Sequence, residues 1–221
     1  MKTPMVYYDK AVDDYNTRTK SSSPLRITNE EMQLPDDLIM MHLNLINEYS
    51  QQIEVNKENV DAYFGKAINY GLVQDFENAI DSYNKALALR SDFALAYFCR
   101  ANIRYKMLNY ESSTLSSEPA NKQKVDYELI IRDYNKTIEL TPNFVYAWFN
   151  RGNLFFSNND FTSAINDYSE AIAREPDFAE AYFNRGLANI LVGDRKKGLS
   201  DLSKAGELGV AAAYNIIKRY S

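Results

Sequence analysis

The chain has 221 residues, 45% of them hydrophobic, which is enough to bury a sizeable core. Its net charge of −5 argues against non-specific binding to nucleic acid or to anionic membranes. A single cysteine, Cys99, and a single histidine, His42, exclude an internal disulfide, a cysteine-only zinc site and histidine-rich metal chemistry.

No apolar run approaches the ~18 residues of a membrane span. The opening stretch, MKTPMVYYDKAVDDYN, lacks the apolar core of a secretory signal. The expectation is a soluble, cytoplasmic protein with no membrane insertion, no nucleic-acid partner and no cofactor.

Residues 1–59 read as a degenerate helical segment. Tyr8–Asn16 has the look of the second helix of a helical pair, and no first helix precedes it. This start fits either an amino-terminal cap or the continuation of a longer array. Ser21-Ser22-Ser23-Pro24 is a loop signal. Thr28 with Glu31 could cap one short turn. Pro35 suits the first position of a new helix, with Asp36 and Asp37 favourable at its positive end, and that helix should run to about Val55.

From Val60 the chain is organised in helix pairs: 60–93, 94–144, 145–178 and a divergent 179–208, followed by a closing helix within 209–221. Residues 145–178 show the unit most fully. Trp148, Gly152 and Phe155 fall at i, i+4 and i+7 and share one helix face. Ser157-Asn158-Asn159-Asp160 interrupts the pattern with turn formers. Ala164, Tyr168, Ala171 and Ile172 form the stripe of a second helix, which Glu175-Pro176 ends. Gly152, Ala164 and Ala171 are small, so two helix axes can approach closely beside Trp148 and Tyr168. Residues 109–125, polar and serine-rich with Pro119, read as an exposed insertion between the helices of the second pair. It serves either as a partner-specific lid or as a tolerated loop.

The unit keeps its phase along the chain. Tyr15, Tyr49 and Tyr83 are spaced by 34, Tyr134 follows after 51, and Tyr168 and Leu202 resume the step of 34. Tyr63, Tyr97, Trp148 and Tyr182 hold the same phase, as do Ala67, Ala101, Gly152 and Gly186, and Phe93, Phe144 and Phe178. A 34-residue period with two helices per period and this small/aromatic pattern resembles the tetratricopeptide repeat (TPR) family. The carboxy-terminal run DLSKAGELGVAAAYNIIKRY resembles the KA-x-E-x-G linkage of Sel1-like relatives. The resemblance implies an all-α fold, a right-handed solenoid of antiparallel helix hairpins.

Three basic–acidic pairs recur in phase. Arg151 and Asp167 are 16 apart, as are Arg185 and Asp201; Arg100 and Asp133 are 33 apart, the difference being the 17-residue insertion. A spacing of 16 sets the two helices of one hairpin side by side. These pairs are expected to stitch three hairpins together as structural ion pairs, not to form an acid/base or phosphate site. The first pair of helices has Lys66 and Ser82 at these sites.

The family resemblance further implies a concave surface lined by the first helices. Its expected lining is Phe64, Phe98, Phe149 and Phe183, then Ile68, Asn102, Asn153 and Leu187, then Tyr105 and Phe156, with Asn150 and Asn184 alongside. Aromatic rings with interleaved amides suit a peptide segment or helix of a partner protein. Asn150 and Asn184 resemble the asparagine ladder with which some family members hold peptide main chain. The competing reading places the phenylalanines in the core between repeats. Relatives that clamp acidic chaperone tails carry lysine and arginine at these sites, so the phenylalanines speak against such a clamp.

Cys99 and His42 stand in no motif and read as packing residues. No phosphate loop, nucleophile elbow, zinc spacing or dinucleotide fingerprint is present. The sequence thus points to a non-catalytic scaffold that binds another protein, or else to a self-associating spacer module.

Overall fold

The computed structural model describes residues 35–114 and 120–220, with the side chains of 109–125 set aside. The readings on Tyr8–Asn16, Ser21–Pro24 and Thr28/Glu31 lie outside the described residues. Among those described, the chain is helical throughout: α1 (Asp36–Val55), α2 (Val60–Leu72), α3 (Phe76–Leu89), α4 (Ala94–Thr114), α5 (Ala120–Leu140), α6 (Val145–Ser157), α7 (Phe161–Arg174), α8 (Ala179–Leu191), α9 (Arg195–Glu207) and α10 (Ala212–Tyr220). They fall into two compact units that meet in sequence at Thr141/Pro142.

In the unit before Pro142, α1 packs on α2, α2 on α3, α3 on α4 and α4 on α5. In the unit after it, α6 packs on α7, α7 on α8, α8 on α9 and α9 on α10. Each helix therefore buries its apolar stripe against its sequence neighbours, the logic of an α-solenoid built of antiparallel hairpins.

The turns inside the hairpins follow one recipe. The first helix ends in a left-handed residue, Gln74 (φ 63°), Asn159 (φ 61°) or Gly193 (φ 93°). The next residue is an aspartate that caps the second helix: Asp75, Asp160 and Asp194 accept from the backbone amides of Asn78, Ser163 and Lys197. In the second hairpin the residue at the left-handed phase is Leu108. The helix does not stop there, a departure from the sequence reading of 109–125 as a loop: α4 runs on to Thr114, and α5 begins at Ala120, directly after Pro119. Residues 115–119 lie outside the described residues.

Close helix approach depends on missing side chains. A Cβ on Gly152 would come within 2.8 Å of the Tyr168 ring, so the glycine makes room for the tyrosine of the facing helix. In the KA-x-E-x-G linkage, a Cβ on Gly206 would meet the Tyr214 ring at 2.7 Å, and Gly209 turns the chain at φ 103°. These two glycines let α10 fold back so that its Ala213 joins Leu202 and Ala205 of α9 in one buried cluster.

The turn into the second unit is clasped from two sides. The Pro142 carbonyl accepts from Trp148 Nε1 at 2.9 Å and from Arg174 Nε at 2.7 Å. The Arg174 guanidinium also lies over the Trp148 ring, 4.6 Å from its centroid.

Candidate functional site

The basic–acidic pairs are two-pronged forks. Arg151 donates to both oxygens of Asp167 at 2.8 Å. Arg185 grips Asp201 at 2.9 and 2.8 Å. Arg100 holds Asp133 at 2.9 and 2.6 Å. All three aspartates are buried, so the forks satisfy charges that would be costly unpaired. Arg104 also donates to Asp133, at 2.5 Å. Burial pushes the Asp167 carboxyl above the usual carboxylate range, outweighing the pull of Arg151. Burial also lowers Arg104 below the usual arginine value. These carboxylates are engaged by guanidinium groups within their own hairpins and serve as stitches.

The expected concave lining divides sharply. Phe64, Phe98 and Phe149 are fully buried, and Asn102, Tyr105, Asn150, Asn153 and Asn184 are buried with them. None of these eight presents a surface to a guest chain, which corrects the sequence reading of an open aromatic and amide groove. The physical reason is a roof. Phe64 is covered by Phe93, ring centroids 4.6 Å apart, and Phe149 by Phe178 at 4.7 Å. Beneath them lie Tyr83 at 5.8 Å and Tyr168 at 5.7 Å, and Phe98 lies 6.1 Å from Tyr134. The in-phase phenylalanines 93 and 178 close the hairpins and leave the first-helix rings inside.

The asparagines serve the interior as well. A buried phenol needs an acceptor. Tyr168 donates to Asn153 Oδ1 at 2.9 Å, and Tyr134 donates to Asn102 Oδ1 at 2.6 Å. Asn184 Nδ2 also donates to Asn153 Oδ1 at 2.9 Å, linking one hairpin to the next. Asn102 and Asn153 therefore hold tyrosines within their own hairpins, and Asn184 ties its hairpin to the preceding one. A sequence signal for it exists: asparagine and tyrosine stand 15 apart at Asn153/Tyr168, and 15 plus the 17-residue insertion apart at Asn102/Tyr134. In the first hairpin that spacing joins Ile68 to Tyr83. In the last hairpin both members are apolar, Leu187 and Leu202.

Three predicted lining residues, Phe156, Phe183 and Leu187, keep accessible surface. Phe156 is half-buried, edge-on to Phe161 at 5.3 Å. Phe183 is half-buried, resting one side on the Leu202/Ala205/Ala213 cluster. Its roof is missing because the residue in phase with Phe93 and Phe178 is Ala212. Along α8, Phe183, Leu187 and Leu191 follow at i, i+4 and i+8 and form one stripe. Leu187 is half-buried, Leu191 is 44% exposed, and Val192 at the helix end is 48% exposed. In the preceding hairpin the residues in phase with Leu191 and Val192 are Ser157 and Asn158. The last hairpin therefore shows an apolar stripe where its neighbour shows a polar turn. Sequence reasoning named Phe183 and Leu187 and passed over Leu191 and Val192; the loss of the Phe178-phase ring at Ala212 was the available signal.

The lone groups are packing residues. Burial pushes the Cys99 thiol up to about 12. His42 Nδ1 lies 2.8 Å from Asn69 Oδ1, while Asn69 Nδ2 donates to the Gly65 carbonyl at 2.7 Å. The asparagine oxygen can only accept, so the histidine proton sits on Nδ1. Among the described residues no cluster of acidic, histidine or cysteine side chains could hold a metal ion, and no helix is long and apolar enough to cross a membrane.

The sequence pattern described as TPR repeat matches residues 74–107 and 152–193, and that described as tetratricopeptide repeat matches 133–166. No curated protein matches the chain. Among solved structures, MamA aligns with a TM-score of 0.64 at 21% identity, covering 76% of this chain and 89% of that one. MamA residues 41-end from Desulfovibrio magneticus RS-1 gives 0.60 at 14% identity, covering 78% and 95%. A thermophilic TPR protein of Thermus thermophilus gives 0.59 at 12%, covering 84% and 97%. At such identities the likeness is one of fold. Hairpins in a 34-residue phase, glycines that seat a facing tyrosine, and matches that fall on those same hairpins show that this chain carries tetratricopeptide repeats.

Proposed function

We propose that this chain is a non-catalytic interaction scaffold that holds a peptide segment or helix of another protein against the α8 stripe. TPR folds typically serve as protein–protein interaction scaffolds. The observation that carries the reading is the contrast between neighbouring hairpins: Phe149 is sealed, whereas Phe183, Leu187, Leu191 and Val192 form a continuous apolar run that reaches solvent. An apolar stripe at helical spacing supplies anchors for an amphipathic segment. Binding energy concentrates in a few such contacts, each costing about 2 kcal/mol or more when a hot spot is truncated.

The test grafts the neighbouring turn onto the last hairpin: Leu191→Ser with Val192→Asn, the residues found at 157 and 158. Peptides are first selected from a displayed random dodecamer library on the intact chain, and their affinities are measured by fluorescence anisotropy. The graft is expected to weaken them at least about tenfold, the equivalent of one lost anchor, with helicity and melting temperature unchanged. Selected peptides that bind the graft as well as the parent chain would place the binding surface elsewhere.

A further inference from the structure

The α8 stripe has a charged rim. Gly193 and Asp194 follow Val192, and α9 then opens with Arg195, Lys196 and Lys197, all three exposed. The corresponding positions in the other hairpins hold Phe76, Glu77 and Asn78 at the start of α3, and Phe161, Thr162 and Ser163 at the start of α7. The last hairpin alone among these three puts cations there. Fold requirements do not explain that choice. The first turn of a helix is its positive end, where cations are disfavoured and acidic residues favoured. The local capping is already done by Asp194, whose carboxylate accepts from the Lys197 amide at 3.1 Å. Lys197 Nζ meets the other Asp194 oxygen at 2.8 Å, in a pair with both side chains open to solvent. Lys196 and Lys197 therefore stand beside Asp194, just after the exposed Leu191 and Val192, on a chain whose net charge is −5.

Resting on the binding role proposed above, we infer that the partner segment is acidic as well as amphipathic. Its apolar side chains lie on Phe183, Leu187, Leu191 and Val192, and its aspartates or glutamates lie against Lys196 and Lys197, with Arg195 beside them. The local charge complementarity selects this occupant over a basic peptide. The site is the turn edge of the last hairpin. Of the first-helix sites at which some relatives clamp acidic tails, Phe64, Phe98 and Phe149 are buried and Phe183 is apolar, so the cations invoked here lie instead on the turn edge that follows α8. Rim charges of this kind act chiefly on association rate and salt dependence.

The experiment compares three forms of the intact chain: the parent, the apolar graft Leu191→Ser/Val192→Asn, and a charge graft Lys196→Thr/Lys197→Ser taken from positions 162 and 163. The probes are the dodecapeptides selected on the parent chain. The expected result is that they combine leucine, isoleucine, phenylalanine or tryptophan with two or more acidic residues. The charge graft weakens them about tenfold at 50 mM salt and far less at 0.5 M, where screening shortens the reach of exposed charges. Peptides with no acidic excess, weakened by the apolar graft and untouched by the charge graft, overturn the acidic partner and leave the binding role standing. Peptides indifferent to both grafts overturn both. A concentration-dependent mass in sedimentation that the apolar graft abolishes assigns the stripe to a second copy and overturns the inference. Sedimentation with phosphatidylserine vesicles that the charge graft abolishes assigns the rim to an anionic membrane, with the same consequence.

Discussion

The hairpins α6/α7 and α8/α9 lie in one unit, share the same turn recipe and carry the same arginine–aspartate fork, yet they treat their surface in opposite ways. In α6/α7, Phe149 is roofed by Phe178 and the turn is Ser157-Asn158. In α8/α9, the roof position is Ala212, Phe183 keeps accessible surface, and the turn is Leu191-Val192. One ring absent from one position converts a closed repeat into an open one. The lesson concerns repeat proteins generally: a phase fixes which residues are equivalent, whereas exposure depends on what the next unit supplies.

The strongest way to break the comparison is at the forks and the sealed rings. Arg151→Ala leaves the Asp167 carboxylate buried without its guanidinium, and the expected loss in chemical unfolding is about 3–5 kcal/mol. Arg185→Ala should cost less, because Asp201 keeps the Asn189 amide as a donor at 3.2 Å. Equal losses would show that the forks, not their surroundings, set the cost. Phe149→Ala should likewise cost about 3–5 kcal/mol. Phe183→Ala should fall at or below about 2 kcal/mol, since only part of its surface leaves water on folding. A reversal of that order would contradict the assignment of sealed and open rings. Gly152→Val sets a side chain against the Tyr168 ring and should cost about 1–3 kcal/mol. The smallest effect is kinetic: the thiol of Cys99, buried and raised to about 12, should react with a thiol reagent at pH 8 only as fast as the protein unfolds. Rapid native labelling would show that the core around Tyr83 opens.

Much of the fold could be read in advance, because its determinants are local and periodic. The 34-residue step, the small residues at Gly152 and Ala164, the Asp36/Asp37 helix start and the Glu175-Pro176 exit each act through neighbours in sequence. The arginine–aspartate spacing of 16 carries its own geometry, since it names two positions on facing helices. The face open to a partner was less legible. Phe64, Phe98 and Phe149 have the chemistry of a binding stripe and the position of a core stripe. Only the distances to Phe93, Tyr134 and Phe178 decide between them. The helical course of residues 109–114 was hidden for a related reason. Polar composition suggests a loop, yet the chain keeps its helix through Thr114.

The central claim is that the last hairpin binds through the stripe its neighbour keeps closed. It is tested most directly by methyl NMR on leucine- and valine-labelled protein titrated with a selected dodecapeptide. The account predicts that the methyl signals of Leu187, Leu191 and Val192 shift and saturate together, while that of Leu154, buried in α6, stays in place. Shifts centred on other leucines and valines, with these three unmoved, would contradict it.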